Sequence, residues 1–166
     1  MSYLVAITLF HTALCFIAIG AGAVAVAGLC QGRRIWTGRF LALATAVSVT
    51  GYFFPFHGVT PAMIVGAIAL GVIVVALAAY RHFHLEGVWA RVYASALVAS
   101  LYLLAFVTVA QAFQKIPVLH GLAPTQSEPP FAIAQIGVLI FFLIVGWRAT
   151  SRFRASVSAG RPVMLK

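Results

Sequence analysis

The sequence predicts an all-α bundle of five membrane-spanning helices, and three observations carry that prediction. Charged residues make up only 8% of the chain and apolar residues 63%, whereas a soluble domain has about 25% charged residues. Several apolar runs approach or exceed the roughly 20 residues that cross a bilayer. The bases fall in short clusters between those runs, the pattern that sets orientation in a membrane.

The first span is read at about Leu4 to Leu29, with His11 and Thr12 in its first third. Its second half is rich in small residues. Ala18, Gly22 and Ala25 lie on one side, and Ala21, Ala25 and Gly28 on an adjacent one. This spacing lets helices approach closely in lipid. The 31–39 loop is short and basic. The second span, about Phe40 to Phe54, is short and is expected to begin within the preceding basic segment; it sets Thr45, Ser48 and Tyr52 on one face at three- and four-residue steps. That face is expected to point into the bundle. Pro55 and Phe56-His57-Gly58 read as a turn.

Thr60-Pro61 opens the third span, a hydroxyl cap followed by proline at the first helical position. The span runs to about Tyr80 and is apolar all round, so it is expected at the bundle edge or against a partner chain. RHFHLEGVWAR follows. His82 and Glu86 would align there on a helix, and a solvated interfacial loop is the other reading. The fourth span, about Trp89 to Phe113, shares one face with Ser100, Leu104, Thr108, Gln111 and Lys115. The segment 114–130 reads as a loop. Ser127-Glu128-Pro129-Pro130 reads as the cap of the fifth helix, where an acid sits favourably at the positive end. The fifth span is about Phe131 to Trp147, with Gln135 just inside its start. From Arg148 the chain is basic and is expected to fray. The division is therefore a five-helix transmembrane domain over 1–147 and a basic cytoplasmic tail over 148–166.

Orientation follows from charge. The first inner loop, the 3–4 connection and the C-terminal tail hold ten of the eleven bases, and Lys115 is the exception. Five spans with the N-terminus outside satisfy the positive-inside rule at every loop. The net charge of +9 is thereby read as orientation and lipid contact. Nucleic acid is not an expected partner, because no basic stripe with interleaved aromatics occurs. Cys15 and Cys30 fall on or near one helix, too far apart to bridge. No removable signal peptide is expected, since no basic residue precedes the first run. Trp36, Trp89 and Trp147 read as belt anchors at the inner interface.

The topology brings His11, His57 and His120 to one depth on the outer side, with Glu128, Gln111, Gln135 and Tyr52 near the same level. Polar residues in spans face an interior or a cavity and are candidates for function. Imidazole suits zinc, copper and iron, including haem iron. The histidines share no motif spacing, and the bland alternative is a ligand-free polar cluster that pins the outer loop. The chain has no Asp, and Glu86 and Glu128 are assigned to opposite faces, so paired-carboxylate catalysis is excluded within one protomer. No phosphate-binding loop, dinucleotide fingerprint or nucleophile elbow occurs. Three helix N-termini point outward, and with Lys115 they favour an anionic ligand there.

The early His11 and the Gly32-Arg33-Arg34-x-x-x-Gly38-Arg39-Phe40 loop resemble small bacterial inner-membrane proteins of unknown function. So does the stretch Ser100-Leu101-Tyr102 through Ala110-Gln111-Ala112-Phe113 to Leu122-Ala123-Pro124-Thr125 and Ser127-Glu128-Pro129-Pro130-Phe131. The resemblance implies a multi-pass protein of the bacterial inner membrane and supplies no activity. The function expected is therefore a membrane protein with an outer pocket for a transition metal, haem or small ligand. His11, His57 and His120 are the candidate metal ligands, and Gln111, Gln135, Glu128 and Tyr52 the supporting residues. The alternatives are a subunit or assembly factor of a larger membrane complex, with a membrane-protein partner or a second copy, and a small carrier or channel.

Overall fold

A computed structural model describes residues 3–54 and 60–160. The described residues form helices and connecting turns, with no strand. The elements are α1 (Tyr3–Cys30), α2 (Thr37–Thr50) continued by a 3₁₀ turn (Gly51–Phe53), α3 (Pro61–Arg81), α4 (Trp89–Lys115), α5 (Pro117–Leu122) and α6 (Pro129–Ser158). Four of these, α1, α3, α4 and α6, are long and apolar enough to cross a membrane. The 14 residues of α2 rise only about 21 Å. Its 3₁₀ turn adds about 6 Å, which brings the pair near the roughly 30 Å of a hydrocarbon core.

The centre of the bundle is α4, which packs on α1, α2, α3 and α6. Around it run α6, α1, α2 and α3, each touching the next. The small residues of α1 do what their spacing predicts. Ala18, Ala21, Gly22 and Ala25 are all buried. A Cβ built on Gly22 would sit 2.6 Å from Leu101 Cδ1 on α4 and 2.7 Å from the Phe40 ring on α2, so glycine sets the approach of three helices. By contrast, α6 turns much of its apolar surface outward: Ile133, Ile136, Phe141, Leu143, Ile144 and Trp147 are exposed. Such a surface fits a lipid bilayer and not water.

Pairs along the chain fix which ends lie together. The Tyr3 hydroxyl donates to the Phe53 carbonyl at 3.3 Å, and Tyr52 to the Met63 carbonyl at 2.9 Å. The starts of α1 and α3 therefore share one end with the close of α2; the close of α4 joins them there, where Lys115 lines one cavity with Tyr52 and Met63, and Gln126, just before α6, bonds Ala110 near the end of α4. Lys115 is at that end. Arg33, Arg34, Arg39, Arg81, Arg91, Arg148, Arg152 and Arg154 lie toward the other.

The basic end is more tightly built than hydropathy alone indicates. The close of α1 is a Schellman motif: Arg33 N–H donates to the Gly28 carbonyl and Gly32 N–H to the Leu29 carbonyl, both at 2.9 Å. Gly32 has φ 73°, in the left-handed region that costs other L-residues about 1–2 kcal/mol. Arg34 lays its guanidinium 4.1 Å from the Tyr80 ring centre and 5.6 Å from that of Tyr93. It thereby ties the first connection to α3 and α4 by cation–π contact.

Two sequence expectations are corrected and two readings are sharpened. The 114–130 segment is not all loop, because α5 occupies Pro117–Leu122 with proline at its first position. The chain does not fray at Arg148, since α6 runs to Ser158 and buries Ala149 and Phe153 completely. Between the two readings of the 3–4 connection, the loop is the one found, and His82 and Glu86 do not share a helix face. The chain leaves α3 at Arg81, and His84, Leu85 and Gly87 take positive φ, which breaks the helical register. The second helix begins at Thr37, within the basic segment before Phe40, as its short apolar run leads one to expect.

Candidate functional site

Between α1, α2, α3 and α4, toward the end that carries Lys115, lies a cavity of about 600 Å³. Its walls are mostly apolar. Three of its four walls supply polar groups: Thr8, His11 and Thr12 from α1; Ser48 and Tyr52 from α2 and its 3₁₀ turn; Thr108, Gln111 and Lys115 from α4. The remaining wall is α3, with Met63, Gly66, Ala69 and Ile73. The two polar stripes that the sequence sets on α2 and α4 thus face one space, with Thr45 the exception. Its hydroxyl donates to the Leu41 carbonyl within α2 instead.

Local structure makes the opening. Thr60 Oγ1 accepts from Met63 N–H at 3.3 Å with Pro61 at the first position of α3, so α3 starts cleanly beside the 3₁₀ turn. Tyr52 then reaches across to Met63, over the notch left by Gly66. A Cβ on Gly66 would lie 3.4 Å from the Tyr52 hydroxyl.

His11 is half-buried at the cavity wall. Its Nδ1 lies 2.9 Å from Thr50 Oγ1. That hydroxyl sits 2.8 Å from the Ala46 carbonyl, which can only accept, so the hydroxyl proton is committed there. Thr50 Oγ1 is therefore the acceptor for His11, and Nδ1 carries the ring hydrogen. Nε2 keeps its lone pair for a further partner. The Phe54 ring meets the imidazole edge-on at 5.5 Å and holds its tilt.

The other expected residues lie elsewhere. His57 falls outside the described residues. His120 is exposed on α5 and does not line the cavity. Gln135 is buried between α4 and α6, where its Nε2 donates to the Phe106 carbonyl at 3.1 Å. Its Oε1 has no partner among the described residues. Among the described residues no group of three or more His, Cys, Asp or Glu comes together to hold a metal.

Glu128 is the N-cap residue of α6, yet its side chain does not cap. Pro130 lacks the N–H of the second helical position, one of the two that a cap side chain takes, and the other, Phe131 N–H, donates to the Glu128 carbonyl at 3.1 Å. The carboxylate folds back on its own loop. It accepts from Thr125 N–H at 3.2 Å, the Thr125 hydroxyl at 2.9 Å and Ser127 N–H at 3.1 Å, and the Ser127 and Thr125 hydroxyls also touch. Desolvation pulls its pKa upward, but bonds from its own backbone N–H, from Thr125 and from Ser127 outweigh that and hold the carboxyl below the usual range. From the same loop, Gln126 Nε2 donates to the Ala110 carbonyl at 2.6 Å, which closes the segment down on α4.

Sequence reasoning sets Lys115 on the α4 stripe and beside an expected anionic ligand, and the structure places it on the cavity wall; the role of Thr50 was missed. Thr50 lies on no polar stripe, and only the packing of α2 on α1 brings it to His11. No protein-family model, curated protein or solved structure matches the chain.

Proposed function

We propose that this protein is a five-span membrane protein, N-terminus outside, that binds a small and largely apolar ligand in the outer half of its bundle. The second crossing is α2 with its 3₁₀ turn, and the basic end faces the cytoplasm of a bacterial cell. One observation carries the reading: a cavity of about 600 Å³, within the usual range for ligand sites, is walled by four helices and lined by a few convergent polar groups. His11 offers a free imidazole nitrogen, and Gln111 an amide. Tyr52 closes the α3 side.

The metal reading needs more than one imidazole on this wall, and His11 is the one described histidine there. The small-ligand branch therefore fits the donor set best. A second reading, a carrier, is favoured by the Ser48–Tyr52 and Ser100–Gln111 stripes meeting in one cavity.

The test is native mass spectrometry of protein extracted in mild detergent. The expected result is a discrete small-molecule adduct, lost when Ala69→Phe fills the cavity from α3. An adduct retained by Ala69→Phe, or none in either protein, contradicts the proposal.

A further inference from the structure

We infer that the cavity takes a single-chain lipid with an anionic head, of the long-chain carboxylate class, its head at Lys115 and its chain running along α4 toward Ser100. This rests on the ligand cavity proposed above and adds the chemistry of the occupant.

Charge identifies the head. Lys115 is the one charged residue among the lining residues, and neither Glu86 nor Glu128 lines the cavity. His11 and Cys15 line the same cavity from α1, across from Lys115 on α4. A cation beside an apolar volume draws an anion more strongly than it would in water. Gln111, one turn deeper on the same face, supplies amide donors to a carboxylate oxygen.

Shape identifies the chain. From Ser100 to Ile116 the α4 wall rises about 24 Å. An extended hydrocarbon chain lies along a wall of that length, which a compact ligand would leave largely uncovered. The deep end is formed by Ala44, Ile73 and Ser100, and the Ser100 oxygen is itself covered. A chain terminus there meets no polar atom that it must desolvate.

The experiment uses Cys15, which lines the cavity, in a Cys30→Ser background. Delipidated protein in nanodiscs of zwitterionic phospholipid is treated with N-ethylmaleimide, alone or with oleate, oleyl alcohol or octanoate. Oleate is expected to slow modification of Cys15 and octanoate to do so poorly. Lys115→Gln should raise the half-protecting oleate concentration about tenfold, the factor carried by about 1.4 kcal/mol, and leave protection by oleyl alcohol unchanged. Lys115→Arg should restore the parent response. Equal protection by oleate and oleyl alcohol in parent and Lys115→Gln alike would overturn the anionic head and leave the ligand cavity standing. Inert Cys15 without any lipid, or no protection by any chain, would overturn both.

Discussion

Replacing Gly22 by alanine tests whether α1, α2 and α4 meet as closely as described. The added Cβ would lie 2.6 Å from Leu101 Cδ1 and 2.7 and 3.0 Å from two carbons of the Phe40 ring. Phe40 is fully buried and Leu101 nearly so, so neither has open space to retreat into. Overpacking of this kind costs about 1–3 kcal/mol. Gly20 is the internal control. It lies on the same helix, and a methyl added there would have nothing within 4 Å. Both changes gain the same helix preference of alanine over glycine, about 0.5–1 kcal/mol. That gain cancels in the comparison, which leaves Gly22→Ala less stable than Gly20→Ala by about 1–3 kcal/mol. The assay is reversible unfolding in mixed micelles as the denaturing detergent fraction rises, followed by near-UV circular dichroism. Equal midpoints for the two variants, or a higher one for Gly22→Ala, would refute the three-helix contact.

Two further outcomes follow from the same structure. Gly32→Ala should destabilise the protein by at least about 1–2 kcal/mol, the left-handed penalty, because the new methyl also meets Ser156 Cβ at 2.9 Å; the same unfolding assay reads it, and an unchanged midpoint would remove the Schellman closure. The Glu128 carboxyl, held below its usual range when folded, contributes stability that is complete above its unfolded pKa and is lost as pH falls through the lower folded value. Amide exchange in the 123–131 segment should accelerate on acidification through that window after correction for intrinsic rates, and Glu128→Gln should abolish the pH response; a response that persists in Glu128→Gln would assign it to another group.

Hydropathy and glycine chemistry made most of the fold legible, because they report single-residue costs. The runs in α1, α3, α4 and α6 must be buried or face lipid, and Thr60-Pro61 can start a helix wherever it lies. What stayed hidden was set by partners distant along the chain. The chain beyond Trp147 stops being apolar, but hydropathy marks the edge of the lipid and not the end of a helix. Phe153 continues α6 by packing 5.9 Å from the Tyr93 ring. Glu128 has the position of a cap, but Pro130 lacks one donor it would use and Phe131 N–H is taken by the Glu128 carbonyl. Of the candidate site residues, His11, Gln111 and Tyr52 come to one cavity, because each lies on a helix face that packing turns inward. His120 does not line that cavity, since depth in the membrane fixes only one of three coordinates.

The most direct test of the ligand cavity is to map where an alkyl probe bearing a photoreactive diazirine attaches in membranes. The account predicts labelled residues on four separate helices, at positions such as Cys15, Ser48, Gly66 and Thr108, with labelling at all four suppressed by Ala69→Phe. Labelling confined to the outward face of α6, at Ile133, Ile136, Ile140 and Leu143, would show only lipid around the bundle and would contradict a ligand within it.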